Sequence, residues 1–276
     1  LLNLEIDGSD IADKLLTSTD HHLFISHCWF HNAAHTALVF GPANSQAIWI
    51  ESSTINNIIS ASPNSAGIYA DNTNHLIIDN CYFNNLAGSG IFANQLSLKV
   101  EYCIFHDIFG PYTNNGHAII CENCSDVSLK FLTINQASKS GVHLRQAGSA
   151  AISNCLFTNG GDHGILIDMD SPTSFGLNKI HNNAFYNNAG NQLRSNPNYV
   201  SQTNPISLSS LPYVHIGLDY VDFSLNTVAN GGGLLLNEAY PKTFYQTSSS
   251  QNLDVGAVQS IGGQPVPRRN PVISLF

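Results

Sequence analysis

The sequence predicts an all-β solenoid: one domain of short strands wound into coils that stack in parallel. Three observations carry that prediction. One phrase recurs, as NHLIIDNCYFNNLAGSGIFA at Asn74–Ala93, HLFISHCWFHNAAHTALVF at His22–Phe40 and AISNCLFTNGGDHGILI at Ala151–Ile167. Aligned on the Phe of Cys-x-Phe, it repeats at spacings of 22 to 29 residues, and a period of that size marks a repeat architecture. Each unit holds strands of three to five residues with alternate apolar positions, which cannot bury an inner face alone.

The columns define the coil. The anchor positions are Phe30, Ile55, Phe83, Phe105, Ile134, Phe157 and Phe185, all large and apolar. Five residues earlier stand Ile25, Ile50, Ile78, Val100, Leu129, Ile152 and Ile180. Stacking coils about 4.8 Å apart puts Ile on Ile and Phe on Phe in one continuous core. Two residues after the anchor stand Asn32, Asn57, Asn85, Asp107, Gln136, Asn159 and Asn187. Asn suits a corner, because it tolerates a left-handed backbone and its amide can bond to the coils above and below. A small residue then precedes an aliphatic, as in Gly67-Ile68, Gly90-Ile91 and Gly164-Ile165, and the expectation is that it fits a tight bend. Parallel crossovers are overwhelmingly right-handed, so the prediction is a right-handed parallel β-helix of about eight to ten coils.

On these columns, over roughly Asp20–Ser195, the chain resembles the pectate-lyase-like right-handed β-helix proteins in their parallel-β-helix-repeat form. The resemblance implies the fold. It leaves lyases, hydrolases, epimerases, phage tailspikes and inert scaffolds open.

Taken in order, Leu1–Gly8 is an incomplete first coil, and Ser9–Thr19 reads as a helix-like or irregular segment over the open end. Coils fill the rest of 1–195. Longer turns interrupt them at Ile58–Ala66, Ile108–His117 and Met169–Gly176, where a rigid solenoid can carry binding groups. Residues 196–276 read as C-terminal coils and an irregular cap of the same domain. There Val214–Leu225 and Gly231–Leu236 look like strands, Asn252–Ser260 resembles a closing segment, and the tail Gly263–Phe276 is Pro-rich.

Composition bounds the partners. In 276 residues there are 10 Lys and Arg against 19 Asp and Glu, a formal charge of −9. That disfavours nucleic acid and anionic membranes and requires local positive charge if the substrate is a polyanion. Charged residues make up only 11% of the chain, which fits a surface of Asn, Ser, Thr and Gly. No stretch is long and apolar enough to span a bilayer. The opening LNLEID reads as part of a coil, hence as a fragment of a longer protein that is secreted or displayed at the cell surface. Cys28, Cys81, Cys103 and Cys155 share one inward column and read as small core residues. Cys121-x-x-Cys124 could be half a metal clip or a disulfide, but without a second pair it reads as a core residue and a turn residue.

Chemistry must come from outward positions. On the strand after the small-residue column these are Val39, Tyr69, Phe92, Ile120, His143 and Leu166, then Gly41, Asp71, Asn94, Glu122, Arg145 and Asp168. Alternation puts His143 and Arg145 on one face, with Glu122 and Asp168 one coil to either side and His117 and His163 flanking Ser140. Tyr69 and Phe92 are expected to be exposed aromatics for stacking on sugar rings, with Trp29 and Tyr82 as a second aromatic column. The remaining histidines, among them His22, His27, His31, His35 and His106, scatter over several faces. Each feature also has a plain structural reading: an ion-pair ladder for Glu122–Arg145–Asp168, solvated or turn-bonding roles for the histidines, and cover for the strand face for the aromatics.

The expected function is that of a polysaccharide lyase, which breaks a uronate-containing polysaccharide by β-elimination. Arg145 would neutralise the substrate carboxylate, His143 or His117 would act as base, and Tyr69 or Tyr112 would protonate the leaving oxygen. Catalysis is thus placed on His143, Arg145, His117 and Asp168, and substrate binding on Tyr69, Phe92, Glu122 and His163. The alternatives are a non-catalytic glycan-binding, adhesion or spacer module, a hydrolase using two of Asp162, Asp168 and Asp170, and a tailspike-like receptor-binding enzyme. Motifs of polygalacturonase-type hydrolases are not intact here, Gly161-Asp162-His163-Gly164 being a faint echo, and the Asp-Pro-His-Glu signature of mannuronan epimerases is missing. No metal or cofactor is assigned. Calcium is possible, because calcium-dependent pectate lyases use a carboxylate cluster with an Arg, of which Glu122, Asp168 and Arg145 are a rough counterpart.

Overall fold

The computed structural model describes residues 1–19, 22–42, 47–59, 62–168, 178–195, 200–210, 213–216 and 221–225. Three parallel sheets run side by side along a solenoid of about eight turns. The first has nine strands, from Glu5–Asp7 through Tyr82–Ala87 to Ile206–Ser207. The second has eight, from Lys14–Ser18 through Val142–Arg145 to Leu193–Arg194. The third also has eight, from Leu23–Ser26 to Val200–Thr203. Each coil gives one strand to each sheet, and no helix occurs among the described residues.

Register follows the columns. Ile55 pairs with Phe83, Phe83 with Phe105 and Phe105 with Ile134. Rings stack along the axis, Phe83 on Phe105 with centroids 4.5 Å apart and Phe157 on Phe185 at 5.2 Å. The corner column is left-handed throughout, with φ of 57° at Asn32, 53° at Asn85, 56° at Asp107, 58° at Gln136 and 51° at Asn187. Its amides form the expected ladder: Asn57 Nδ2 donates to Asn32 Oδ1 at 3.2 Å, Asn85 to Asn57 at 2.7 Å and Asn187 to Asn159 at 2.9 Å.

The small-residue column has a different cause from the expected bend. Gly90, Gly141 and Gly164 do not have a positive φ. A Cβ on Gly90 would instead lie 2.7 Å from the Phe105 ring and 2.5 Å from Ala118 O, and one on Gly164 would lie 2.6 Å from the Phe185 ring. These glycines make room for the phenylalanine stack.

The cysteine column is buried and free of disulfides. Its thiols also donate to carbonyls two residues back, Cys81 to Asp79 at 3.3 Å, Cys103 to Glu101 at 3.1 Å and Cys155 to Ser153 at 3.3 Å. In the same column Ser53 donates to Glu51 O at 2.8 Å, so a small donor serves equally well there. Cys124 is as buried as Cys121; it is a core residue rather than an exposed turn residue.

One boundary differs from expectation. Within Ser9–Thr19, Lys14–Ser18 is a strand of the second sheet paired with Thr36–Phe40. Its short run of alternating residues has a coil on one side only, so the repeat is hard to see from sequence there. Beyond 195, Val200–Thr203 and Ile206–Ser207 pair in parallel with strands of the preceding coil. Tyr213–Ile216 pairs antiparallel with Val221–Leu225. The loop 169–176 with Asp170, and the segments 231–236, 252–260 and 263–276, lie outside the described residues. No helix among the described residues is long and apolar enough to cross a membrane.

Candidate active site

The outer face of the second sheet carries most of the sequence-predicted site. Tyr69, Phe92, Ile120, His143 and Leu166 occupy one register row, and Asp71, Asn94, Glu122, Arg145 and Asp168 the next outward one. An inserted loop divides this face into a covered half and an open half.

The covered half lies under residues 110–116. Gly116 sits at φ +81°, where a side chain is strained, and a Cβ would also lie 2.3 Å from Ser138 Oγ. The loop is moored on several sides. Gly116 N donates to Gly88 O at 2.8 Å, Ser89 Oγ to Asn114 O at 2.6 Å, and Arg145 Nη1 to Asn114 Oδ1 at 2.6 Å. Lys139 Nζ donates to Tyr112 O. Asn115, fully buried, donates through Nδ2 to Ser62 O at 2.9 Å, which ties this loop to the next one along the axis.

Four expected catalytic residues meet beneath it. His143 Nε2 lies 2.8 Å from Asp168 Oδ2, and its ring centroid is 4.9 Å from that of His117. Arg145 Nε also approaches His143 Nε2, at 3.4 Å. A nitrogen whose proton goes to a carboxylate has no lone pair left to accept, so the shorter contact is the hydrogen bond. That leaves His143 Nδ1 as a bare acceptor, buried and without a hydrogen-bond partner, and His117 Nδ1 is in the same position. Burial pushes the His143 imidazole below its ordinary value, against the opposing effect of the hydrogen bond it donates to Asp168. Burial, then His143 and Lys139, pushes His117 down to about 3. Both rings are therefore neutral at pH 7, and His143 is only 4% exposed.

The predicted ion-pair ladder is rearranged. Glu122, Arg145 and Asp168 are in register, but Asp168 takes His143 and Arg145 reaches the loop. Phe92 is buried, not exposed, and stacks on Tyr69 with centroids 5.1 Å apart and planes 3° from parallel. His163 is held apart from this group: its Nδ1 accepts from Asn191 N at 2.8 Å, and its Nε2 faces Asp162 at 3.3 Å. Asp162 and Asp168 thus each face a histidine. In the second aromatic column, Trp29 Nε1 is bonded to Asn56 at 2.7 Å and its ring stacks on His31.

The open half lies toward the N-terminal coils. A cleft of about 380 Å³ is lined by Asp13, Lys14, His35, Thr36, Val39, Ser62, Asn64 and Tyr69, a volume within the range of ligand clefts, about 300–1,000 Å³. Its floor is the row Lys14–Thr36 and Val39–Tyr69, paired strand to strand. His35 Nδ1 lies 2.6 Å from Asp13 Oδ1, and both side chains reach solvent. Tyr69 is half-buried. Burial, then the nearby Asp71 and Glu122 carboxylates, raises its phenol above the usual value, so it keeps its proton.

Of the sequence-predicted residues, Tyr69 alone lines this cleft. Sequence reasoning misses Asp13, Lys14 and His35, because 9–19 reads as helix-like or irregular and His35 as one scattered histidine. The available signal was the apolar pair Leu15-Leu16 aligned below Ala37-Leu38. Among the described residues, no group of three or more His, Cys, Asp or Glu side chains could hold a metal ion.

The comparisons with known proteins agree with this architecture. A family model described as a right handed beta helix region matches residues 3–111 and 66–228. The crystal structure of pectate lyase Pel9A superposes with a TM-score of 0.58 at 11% identity, over 92% of this chain and 69% of that one. No curated protein matches the sequence.

Proposed function

Starting from a chain that belongs to the right-handed beta helix family, we propose that it is a polysaccharide lyase acting on a uronate-containing polysaccharide outside the cell. The observation that carries this reading is the cleft on the outer face of the second sheet. It combines a cation at Lys14, a carboxylate-bound imidazole at His35 and a protonated phenol at Tyr69. β-Elimination needs those three kinds of group: one to neutralise the uronate carboxylate, one to take the C5 proton and one to protonate the leaving oxygen. The likeness in fold to a pectate lyase supports the same substrate class. Tyr69, which lines the cleft, would also take part in substrate binding.

A second reading has its own support. His117 and His143 each keep a bare Nδ1, while His143 Nε2 faces Asp168 and Arg145, and the bare nitrogens would serve as bases if loop 110–116 lifted for substrate. With the loop moored, Arg145 instead fastens it through Asn114.

The test is incubation with pectin, alginate, glycosaminoglycans and neutral glycans, following unsaturated-uronate absorbance and new reducing ends. Absorbance confined to uronate polymers is expected. Reducing ends without absorbance would replace elimination by hydrolysis, with Asp162 and Asp168 as the carboxylates to mutate. Silence on both readouts would overturn the enzyme reading and favour a glycan-binding module.

A further inference from the structure

Resting on that reading, we propose that His35 is the general base of the reaction, oriented by Asp13, and that Lys14 is the group that holds the uronate carboxylate. The 2.6 Å contact between His35 Nδ1 and Asp13 Oδ1 sets the tautomer, because the carboxylate accepts and so Nδ1 must carry the proton. Nε2 is then the lone-pair nitrogen, and no hydrogen bond occupies it among the described residues. This is the logic by which a carboxylate orients an imidazole for proton abstraction.

Place in the coil supports the assignment. Asp13 and Lys14 are consecutive at the start of one strand, and His35 precedes Thr36 at the start of the next. Backbone bonds fix that juxtaposition, with both His35 N and Thr36 N donating to Asp13 O, at 3.4 and 3.0 Å. The dyad therefore does not depend on two long side chains finding each other. Across the floor, Tyr69 is held by its stack on Phe92. His143 has a comparable carboxylate partner, but it is buried beneath loop 110–116; His35 is 39% exposed and lines the cleft.

The step balances without a co-reactant. His35 Nε2 takes the C5 proton, and the C5–H electron pair becomes the C4–C5 double bond. The C4–O4 bond breaks, and the departing oxygen takes a proton from the Tyr69 hydroxyl or water. Lys14 stabilises the carboxylate as negative charge spreads onto it from C5.

The experiment uses whichever uronate polymer gives absorbance with the wild-type chain. His35→Ala should lower kcat by about 100-fold or more, the usual scale for general-base removal. Added imidazole should restore part of the rate to His35→Ala and none to wild type, which a merely structural role would not produce. Lys14→Ala should lose activity that Lys14→Arg largely keeps, and Asp13→Asn should lower kcat with little change in KM. Thermal unfolding of each variant checks that it is folded. Full activity in a folded His35→Ala, or a loss that imidazole does not rescue while His143→Ala is equally inactive and is rescued, overturns this assignment and leaves the lyase reading standing. Silence of the wild-type chain on every uronate overturns both.

Discussion

At the scale of single residues, the fold rests on positions whose backbone or space admits few alternatives. Asn85 holds φ 53° and donates to Asn57 at 2.7 Å. Asn85→Ala should destabilise by about 2 kcal/mol, combining left-handed strain of about 1–2 kcal/mol with a hydrogen bond of about 1 kcal/mol. Asn85→Gly removes the strain and should cost less, an order that denaturant midpoints will read. Phe105, fully buried and stacked on Phe83, should cost about 3–5 kcal/mol on truncation to Ala. These positions were legible because every coil repeats the same demand. The reason for Gly90 was not: its neighbour in space is the Phe105 ring of the next coil, and only the assembled stack shows that contact. His35 was harder still, since its partner Asp13 lies in the terminal coil, where the column has a neighbour on one side only.

At the scale of elements, strands and corners follow from the period, whereas the loops that break the period decide which outward residues meet solvent. Alternation correctly put His143 and Phe92 on the outer face. It could not reveal that 110–116 folds back over His143, because that loop is held by Arg145, Ser89 and Gly88 from other coils. Arg145→Ala should therefore loosen this loop before it disturbs the solenoid. Amide exchange across 110–116 should speed up, with a stability loss of about 1.5–3 kcal/mol for a hydrogen bond to a charged group. Asn114→Ala should do the same, and the double variant should lose less than the sum of the two. Fully additive losses would show that the Arg145–Asn114 bond is not what moors the loop.

At the scale of the whole molecule, the buried imidazoles make stability depend on pH. Burial lowers His117, His143 and His106, so in the acid range the unfolded chain binds protons there that the folded chain does not. Their contribution is complete above about pH 6.5, the unfolded value, and is lost as pH falls toward 3, where His117 titrates. Each such group contributes a slope of up to about 1.4 kcal/mol per pH unit. The urea midpoint should drop between pH 7 and pH 5, and His117→Asn should flatten that fall; an unchanged slope would mean that the ring is solvated. The strand register has a different consequence. Ile68 and Ile91 are paired equivalents on neighbouring coils, so excising residues 68–90 would join Gly67 directly to Ile91, as Gly90 now is. What remains is a shorter molecule with every column still matched, in which the cleft's Lys14, His35 and Val39 survive and Tyr69 is replaced by Phe92. Such a chain should fold with a smaller denaturant m-value, which would make the number of coils a dimension that can change by whole steps without redesign of the core.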